Sequence, residues 1–74
     1  MDRFHQLQVY VAVAEDEGFA AAARRLQLSP PAVTRAVAAL EDTLGVKLLA
    51  RTTRYVHVTE AGRRYLDHAR QNMA

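Results

Sequence analysis

The chain has 74 residues, half of them hydrophobic, which is enough for one small domain and too few for two. It has no cysteine, and it shows neither a long apolar segment nor a basic-then-apolar leader, so we expect a soluble cytoplasmic chain without disulfides. The net charge is only +2, yet the stretches 18–40 and 43–58 each contain three basic residues and no acid. This separation of charges predicts a basic face, which would suit nucleic acid.

The first three segments carry apolar residues at helical spacing, and each segment ends at a turn signal. The apolar positions of the first helix, which is predicted to end near Glu17, are Phe4, Leu7, Tyr10, Val11 and Ala14. Those of the second helix, which follows Gly18, are Phe19, Ala22, Ala23 and Leu26. Those of the third helix are Val33, Val37, Leu40 and Leu44, and Gly45 supplies a left-handed stop.

Two consecutive prolines stand at the predicted start of the third helix. With Ser29 as N-cap, Pro30 and Pro31 occupy positions whose backbone N–H groups would have no partner inside the helix, so they cost little there. They would form a rigid apolar tip suited to contact with thymine methyl groups. The alternative is that they only end the preceding turn.

Beyond Gly45 the pattern changes to short β-rich runs. "VKLLAR" and "YVHV" flank Thr52, Thr53 and Arg54, and this order predicts two strands joined by a short turn. Thr59 can then cap a fourth helix that reaches the end of the chain. The apolar positions of this helix are Tyr65, Leu66, Ala69 and Met73.

The exposed side of the third helix has the composition of a surface that enters a DNA groove. Pro31, Thr34, Arg35 and Ala38 lie opposite the apolar stripe, near the helix start. The major groove is about 12 Å wide and admits a helix whose reading side is small. Arginine offers a fork of donors that matches guanine O6 and N7.

In its order and spacing the chain resembles the DNA-binding domain of the LysR-type transcriptional regulators. The resemblance rests on "LQVYVAVAE", on "FAAAARRLQLSPPAVTRAVAALEDTLGVKLLAR" and on "TTRYVHVTEAG". It implies a mainly α, winged helix-turn-helix fold, with the domain in residues 1–59, the helix-turn-helix at about 19–38, and the start of a linker or dimerisation helix in 60–74. It also implies binding to double-stranded DNA as a homodimer, with an effector domain outside this chain.

The resemblance also assigns roles to individual positions. The base-reading positions correspond to Pro30, Pro31, Thr34 and Arg35. The wing positions at the minor groove correspond to Arg54, with Thr53 beside it, and the positions near phosphates are Ala20, Ser29, Arg51 and Thr52. Arg51 has the alternative of pairing with Glu60. Leu66, Ala69 and Met73 are either core positions or a seam with a second copy, and on the second interpretation Leu66→Glu would separate the copies without unfolding them.

Three positions depart from the family's pattern. Pro30 stands where many members have glutamine, and proline cannot hydrogen-bond to an adenine. Gly18 stands where a capping serine is frequent, so the second helix loses a side-chain cap. The chain ends at Ala74, which indicates a truncated product, and inducer control is expected to lie outside it.

The sequence offers little for other functions. His5, His57 and His68 are scattered without ligand spacing, so neither a metal site nor a cofactor is predicted. Ser29 has no nucleophile motif around it, and we predict that the chain is not an enzyme. Two other functions stay open beside DNA binding, namely a winged-helix module that binds protein and, more weakly, a peptide that binds membrane surfaces. Arg24 and Arg25 are interpreted as a solvated face, and a contact of one of them with a phosphate is the alternative.

Overall fold

A computed structural model describes residues 3–51 and 56–73, and within them the side chains of residues 3–50 and 56–71. The helices are α1 (Arg3–Asp16), α2 (Phe19–Leu26), α3 (Pro30–Leu44) and α4 (Glu60–Met73). The strands are β1 (Leu49–Arg51) and β2 (Val56–Val58). This mainly helical architecture with one hairpin confirms the predicted element order.

Helix α1 lies at the centre of the molecule and contacts α2, α3, α4 and β2. Apolar side chains are therefore buried around most of its circumference, and not along one stripe. Val9 and Val13, which the stripe did not include, are fully buried. Phe4 was expected in the core but is 57% exposed, whereas Gln6, in the same first turn of the helix, is buried.

Helices α2 and α3 form a compact pair in which both predicted apolar sets pack inward. Ala22 and Ala23 are buried, and their small side chains allow α1 and α3 to approach α2 closely. Between the two helices the chain reverses through Gln27, which has a left-handed φ of 59°. Gly45 ends α3 with a φ of 71°, as predicted, and its N–H donates to the carbonyl of Glu41 at 2.8 Å.

The hairpin is antiparallel, with Leu49 opposite Val58 and Arg51 opposite Val56. Its strands have only three residues each, so the hairpin is held in place mainly by its contacts with the helices. Thr59 follows β2 and caps α4 as predicted, since its Oγ1 accepts a hydrogen bond from the N–H of Gly62 at 2.9 Å.

A buried tyrosine joins α1 to the first turn of α4. The Tyr10 hydroxyl donates to the carbonyl of Gly62 at 2.8 Å. Burial and, to a smaller extent, the negative charge of the nearby Glu41 raise the pKa of Tyr10 to about 12. Gly62 is required at this close approach, because a Cβ there would lie 2.1 Å from the carbonyl oxygen of Leu48. This hydrogen bond ties the first turn of α4 to α1.

Candidate nucleic-acid interface

Helix α3 has a buried side and an exposed side, and the division follows the sequence pattern. Val33, Ala36, Val37 and Leu40 are buried against the rest of the domain. Pro30, Pro31, Arg35 and Ala38 are exposed, and Thr34 is half-buried at the edge of the same side. We call Pro30, Pro31, Thr34, Arg35 and Ala38 the reading face.

The start of α3 has the geometry that the double proline predicted. The side chain of Ser29 accepts a hydrogen bond from the N–H of Ala32 at 3.3 Å, and the carbonyl of Ser29 accepts from Val33 at 3.1 Å. Pro30 and Pro31 occupy the first two helical positions, where they remove no hydrogen bond of the helix. The result is an exposed apolar tip beside an exposed serine.

The hydroxyl of Thr34 is oriented by its own helix. Its Oγ1 donates to the carbonyl of Pro30 at 3.1 Å, which uses the only proton that the hydroxyl can donate. In this orientation Thr34 offers outward only its methyl group and the lone pairs of its oxygen. It is therefore suited to a thymine methyl or to an amino group of cytosine or adenine.

Two arginines in neighbouring helices have opposite surroundings. Arg25, in the last turn of α2, pairs with Glu15 at 3.0 Å and with Asp16 at 3.1 Å. The hydrogen bond to Glu15 and the nearby Asp16 raise the pKa of Arg25. Arg35 is exposed, and no ion pair formed by the residues that the structure describes includes it. Its guanidinium is available to a ligand, whereas that of Arg25 is already compensated.

The start of α2 and the loop before β1 adjoin the reading face. A shallow depression of about 300 Å³ is lined on α3 by Thr34 and Ala38, on α2 by Phe19, and in the loop by Lys47. Ala20 follows Phe19 in the first turn of α2, and its exposed side chain is small enough for a phosphate to approach the backbone there. Gly18 gives this helix no side-chain cap, as its sequence position predicted.

Lys47 is a candidate DNA contact that the sequence argument did not select. It is exposed and lies beside Thr34 and Ala38. The signal available in the sequence was its position in the acid-free stretch 43–58. That signal did not distinguish Lys47 from its neighbours, because only the folded loop brings residue 47 to α3.

The predicted wing contacts fall between β1 and β2 in the sequence. Thr52, Thr53 and Arg54 lie outside the residues that the structure describes, as does the side chain of Arg51. Their assigned roles stay predictions. Glu60, the alternative partner of Arg51, pairs with Arg64 at 3.3 Å, one turn along α4.

The apolar positions of α4 face the chain's own core. Leu66 is 8% exposed and Ala69 is 1% exposed, so both are core positions of the single chain. The side chain of Met73 lies outside the described residues. A seam with a second copy stays a prediction. The expectation that Leu66→Glu would leave the core folded is wrong, because the substitution would place a carboxylate among buried apolar groups.

The described residues contain no group of three acidic or histidine side chains that could hold a metal ion. None of the helices in residues 3–51 and 56–73 combines the length and the apolar content that crossing a bilayer requires.

The helix order, the hairpin and the exposed start of α3 define a winged helix-turn-helix. The family model of the bacterial regulatory helix-turn-helix proteins of the lysR family matches residues 4–63. The chain belongs to this family.

Individual relatives and solved structures resemble the chain over almost its whole length. The HTH-type transcriptional regulator TfdT of Cupriavidus pinatubonensis (strain JMP 134 / LMG 1197) is 51% identical over 69 residues, which are 93% of this chain and 30% of TfdT. The chain thus spans less than a third of that relative's length. The crystal structure of a CbnR_DBD–DNA complex is 46% identical with a TM-score of 0.92, covering 99% of this chain and 83% of that one. The BenM_DBD/catB site 1 DNA complex is 33% identical with a TM-score of 0.92, covering 99% and 80%.

Proposed function

We propose that this chain binds double-stranded DNA sequence-specifically, with the start of α3 in the major groove. The observation that carries the proposal is the exposed reading face, in which Arg35 stands among small side chains on the side of α3 opposite the core. A helix of this composition can approach base edges closely. The similar CbnR_DBD and BenM_DBD structures are complexes with DNA, which supports the same use of this fold here.

Different groups on this surface have different tasks in the proposal. Arg35 donates to guanine O6 and N7, while Thr34 and the two prolines contact neighbouring bases. Contacts with phosphates fix the register of the protein on the duplex. The phosphate contacts come from Ala20, Ser29, Lys47, Arg51 and Thr52. Arg54, with Thr53 beside it, enters the minor groove, whose negative potential attracts arginine where the groove is narrow.

Two copies would bind as a homodimer, so that a second reading face meets a second half-site. Residues 1–59 then form the DNA-binding domain, and 60–74 begin the helix that joins the copies. Met73 lies on that helix, as do Leu66 and Ala69, which belong to the core of the single chain. The chain works as part of a transcriptional regulator in the cytoplasm, at the nucleoid, and not as an enzyme.

Selection from random duplexes tests this proposal. We expect the recovered sequences to share a half-site whose symmetry and spacing report how two copies are arranged. If about five phosphates are neutralised per protomer, log affinity should fall with log salt at a slope near −4.5. A module that binds protein would show neither a shared half-site nor this slope, and binding to lipid vesicles in place of duplexes would favour a membrane surface.

A further inference from the structure

The loop between α3 and β1 is held by hydrogen bonds from two sides. Oε2 of Glu41, on α3, accepts from the backbone N–H of Leu48 at 2.8 Å and from that of Leu49 at 3.2 Å. From the other side, the Thr59 hydroxyl donates to the carbonyl of Lys47 at 2.6 Å. The N–H of Thr59 donates to the carbonyl of Leu48 at 3.1 Å. The base of the hairpin is thus bound to α3 through one carboxylate.

Glu41 lies on the same side of α3 as the reading face. Thr34, Ala38 and Glu41 are spaced at i, i+4 and i+7, which places them in one row along a helix. The half-buried Glu41 also lines the depression that these two residues share with Lys47. One side-chain row therefore carries DNA-facing groups at its start and the attachment of the hairpin at its end.

The hairpin depends on such an attachment for its direction. A two-stranded hairpin is at best marginally stable in water, and the strands here have three residues each. Hydrogen bonds to a carboxylate are shorter and stronger than those to a neutral oxygen. A glutamine at this position could place its carbonyl oxygen where Oε2 lies, but that oxygen is neutral, so it would accept from the two amides more weakly than the carboxylate does.

We propose that Glu41 is a positioning residue, which sets the distance between the reading face and the hairpin. It thereby determines which base pairs are selected beside those that α3 contacts. This inference rests on the proposed DNA binding. Glu41 touches no DNA in this account, since its Oε2 is engaged by the amides of Leu48 and Leu49 and the charge of its carboxylate is repelled by phosphates.

The test compares Glu41→Gln with Asp42→Asn in the 74-residue chain. Both substitutions remove one negative charge from α3, but Asp42 is exposed and takes no part in the contact with residues 48 and 49. Each protein is titrated with the duplex selected by the wild type and with all single base-pair variants of it. Amide hydrogen exchange at Leu48 and Leu49 is measured in parallel.

We expect Glu41→Gln to reduce discrimination at the flanking base pairs by about threefold to tenfold, the scale of one hydrogen bond. Discrimination at the base pair that Arg35 reads should stay as in the wild type. The amides of Leu48 and Leu49 should exchange faster in this variant. Asp42→Asn should keep the wild-type profile and the wild-type exchange rates.

An equal loss at every base pair, or a profile of Glu41→Gln that equals that of Asp42→Asn, would overturn the positioning role. If Glu41→Gln does not fold, Glu41→Asp decides, because it keeps the charge but shortens the reach by one methylene. A wild-type profile in Glu41→Asp, or loss of the fold in both variants, overturns the inference. A wild type without any duplex preference would instead refute the proposed function, and the inference with it.

Discussion

The C-terminal end of α2 and the N-terminal part of α3 both carry arginine in an acid-free stretch, but their charges have different fates. Arg25 is held by Glu15 and Asp16, which come from the end of α1. Arg35 is exposed and forms no ion pair with any residue that the structure describes. Local sequence therefore overstates the positive charge of α2 and describes that of α3 correctly.

The same acids reach a third helix. Glu15 also pairs with Arg70 of α4 at 3.3 Å, so a small acidic group at the end of α1 compensates cations from two elements. An arginine paired in this way is a weaker attraction for phosphates than an unpaired one, because its field is already partly cancelled. The comparison predicts that DNA binding depends on Arg35 of α3 and little on Arg25 at the C-terminal end of α2.

The largest effect should come from Arg35→Ala. Loss of a bidentate contact with guanine should weaken specific binding by about 1–3 kcal/mol and relax the preference at one base pair per half-site. Titration of matched and single-mismatch duplexes measures both quantities. Unchanged discrimination would show that the exposed arginine reads no base.

Arg54→Ala tests a second arginine, at the predicted wing. We expect weaker affinity, a smaller salt slope and less sensitivity to A·T-rich flanks, since a narrow minor groove attracts an inserted arginine. Affinities for one half-site in A·T-rich and G·C-rich flanks provide the measurement. If the wild type binds both flanks equally, the minor-groove assignment is wrong.

Lys47→Ala should weaken binding to all duplexes alike. A phosphate contact carries no sequence information, so its removal should reduce the magnitude of the salt slope by about 1 and leave specificity unchanged. The slope is obtained from affinities at several salt concentrations. A loss confined to one base pair would assign Lys47 to a base and not to a phosphate.

A smaller effect should follow from releasing Arg25. The double substitution Glu15→Gln with Asp16→Asn removes the carboxylates that compensate this side chain. We expect tighter binding to non-specific duplex at low salt, without improved discrimination, because the new attraction is electrostatic. Glu17→Gln is the single-charge control, because Glu17 is exposed and no ion pair among the described residues includes it.

The smallest effect should be that of Arg25→Ala on specific binding. Its guanidinium is engaged by two carboxylates, so we expect the affinity for the selected duplex and its discrimination to stay at the wild-type level. The neighbouring Arg24→Ala is the comparison, since Arg24 is also exposed but is included in no ion pair among the described residues. A loss for Arg25→Ala as large as that for Arg35→Ala would contradict the contrast between the two surfaces.

Local signals in the sequence predicted the start and the facing of α3. A serine cap, prolines at the first two positions, apolar residues at helical spacing and a left-handed Gly45 all act within one helix. The hairpin and the cap of α4 by Thr59 were also predicted from short stretches of sequence, namely two β-rich runs around a short turn and a threonine before a helix. The spacing of the apolar residues fixes which side of α3 is buried, and it therefore also fixes which residues form the exposed reading face.

Other features depend on contacts between segments far apart in sequence, which periodicity does not report. Phe4 has the spacing of a core residue, but its side chain is 57% exposed, whereas Gln6 in the same turn of α1 is buried. The pairing of Arg25 with Glu15 requires the angle between α1 and α2. The positions of Lys47 and of the Glu41 carboxylate require the path of the loop after α3. Such features need the folded chain.

The most direct test of the central claim is a titration of the ¹⁵N-labelled chain with the selected duplex, followed residue by residue through amide chemical shifts. The account predicts that the largest changes lie at residues 32–38 of α3, with further changes at Ala20 and Lys47. The amides around Arg25 should change little. Changes concentrated on α4 or around Arg25, with α3 unaffected, would contradict the claim that the reading face contacts DNA.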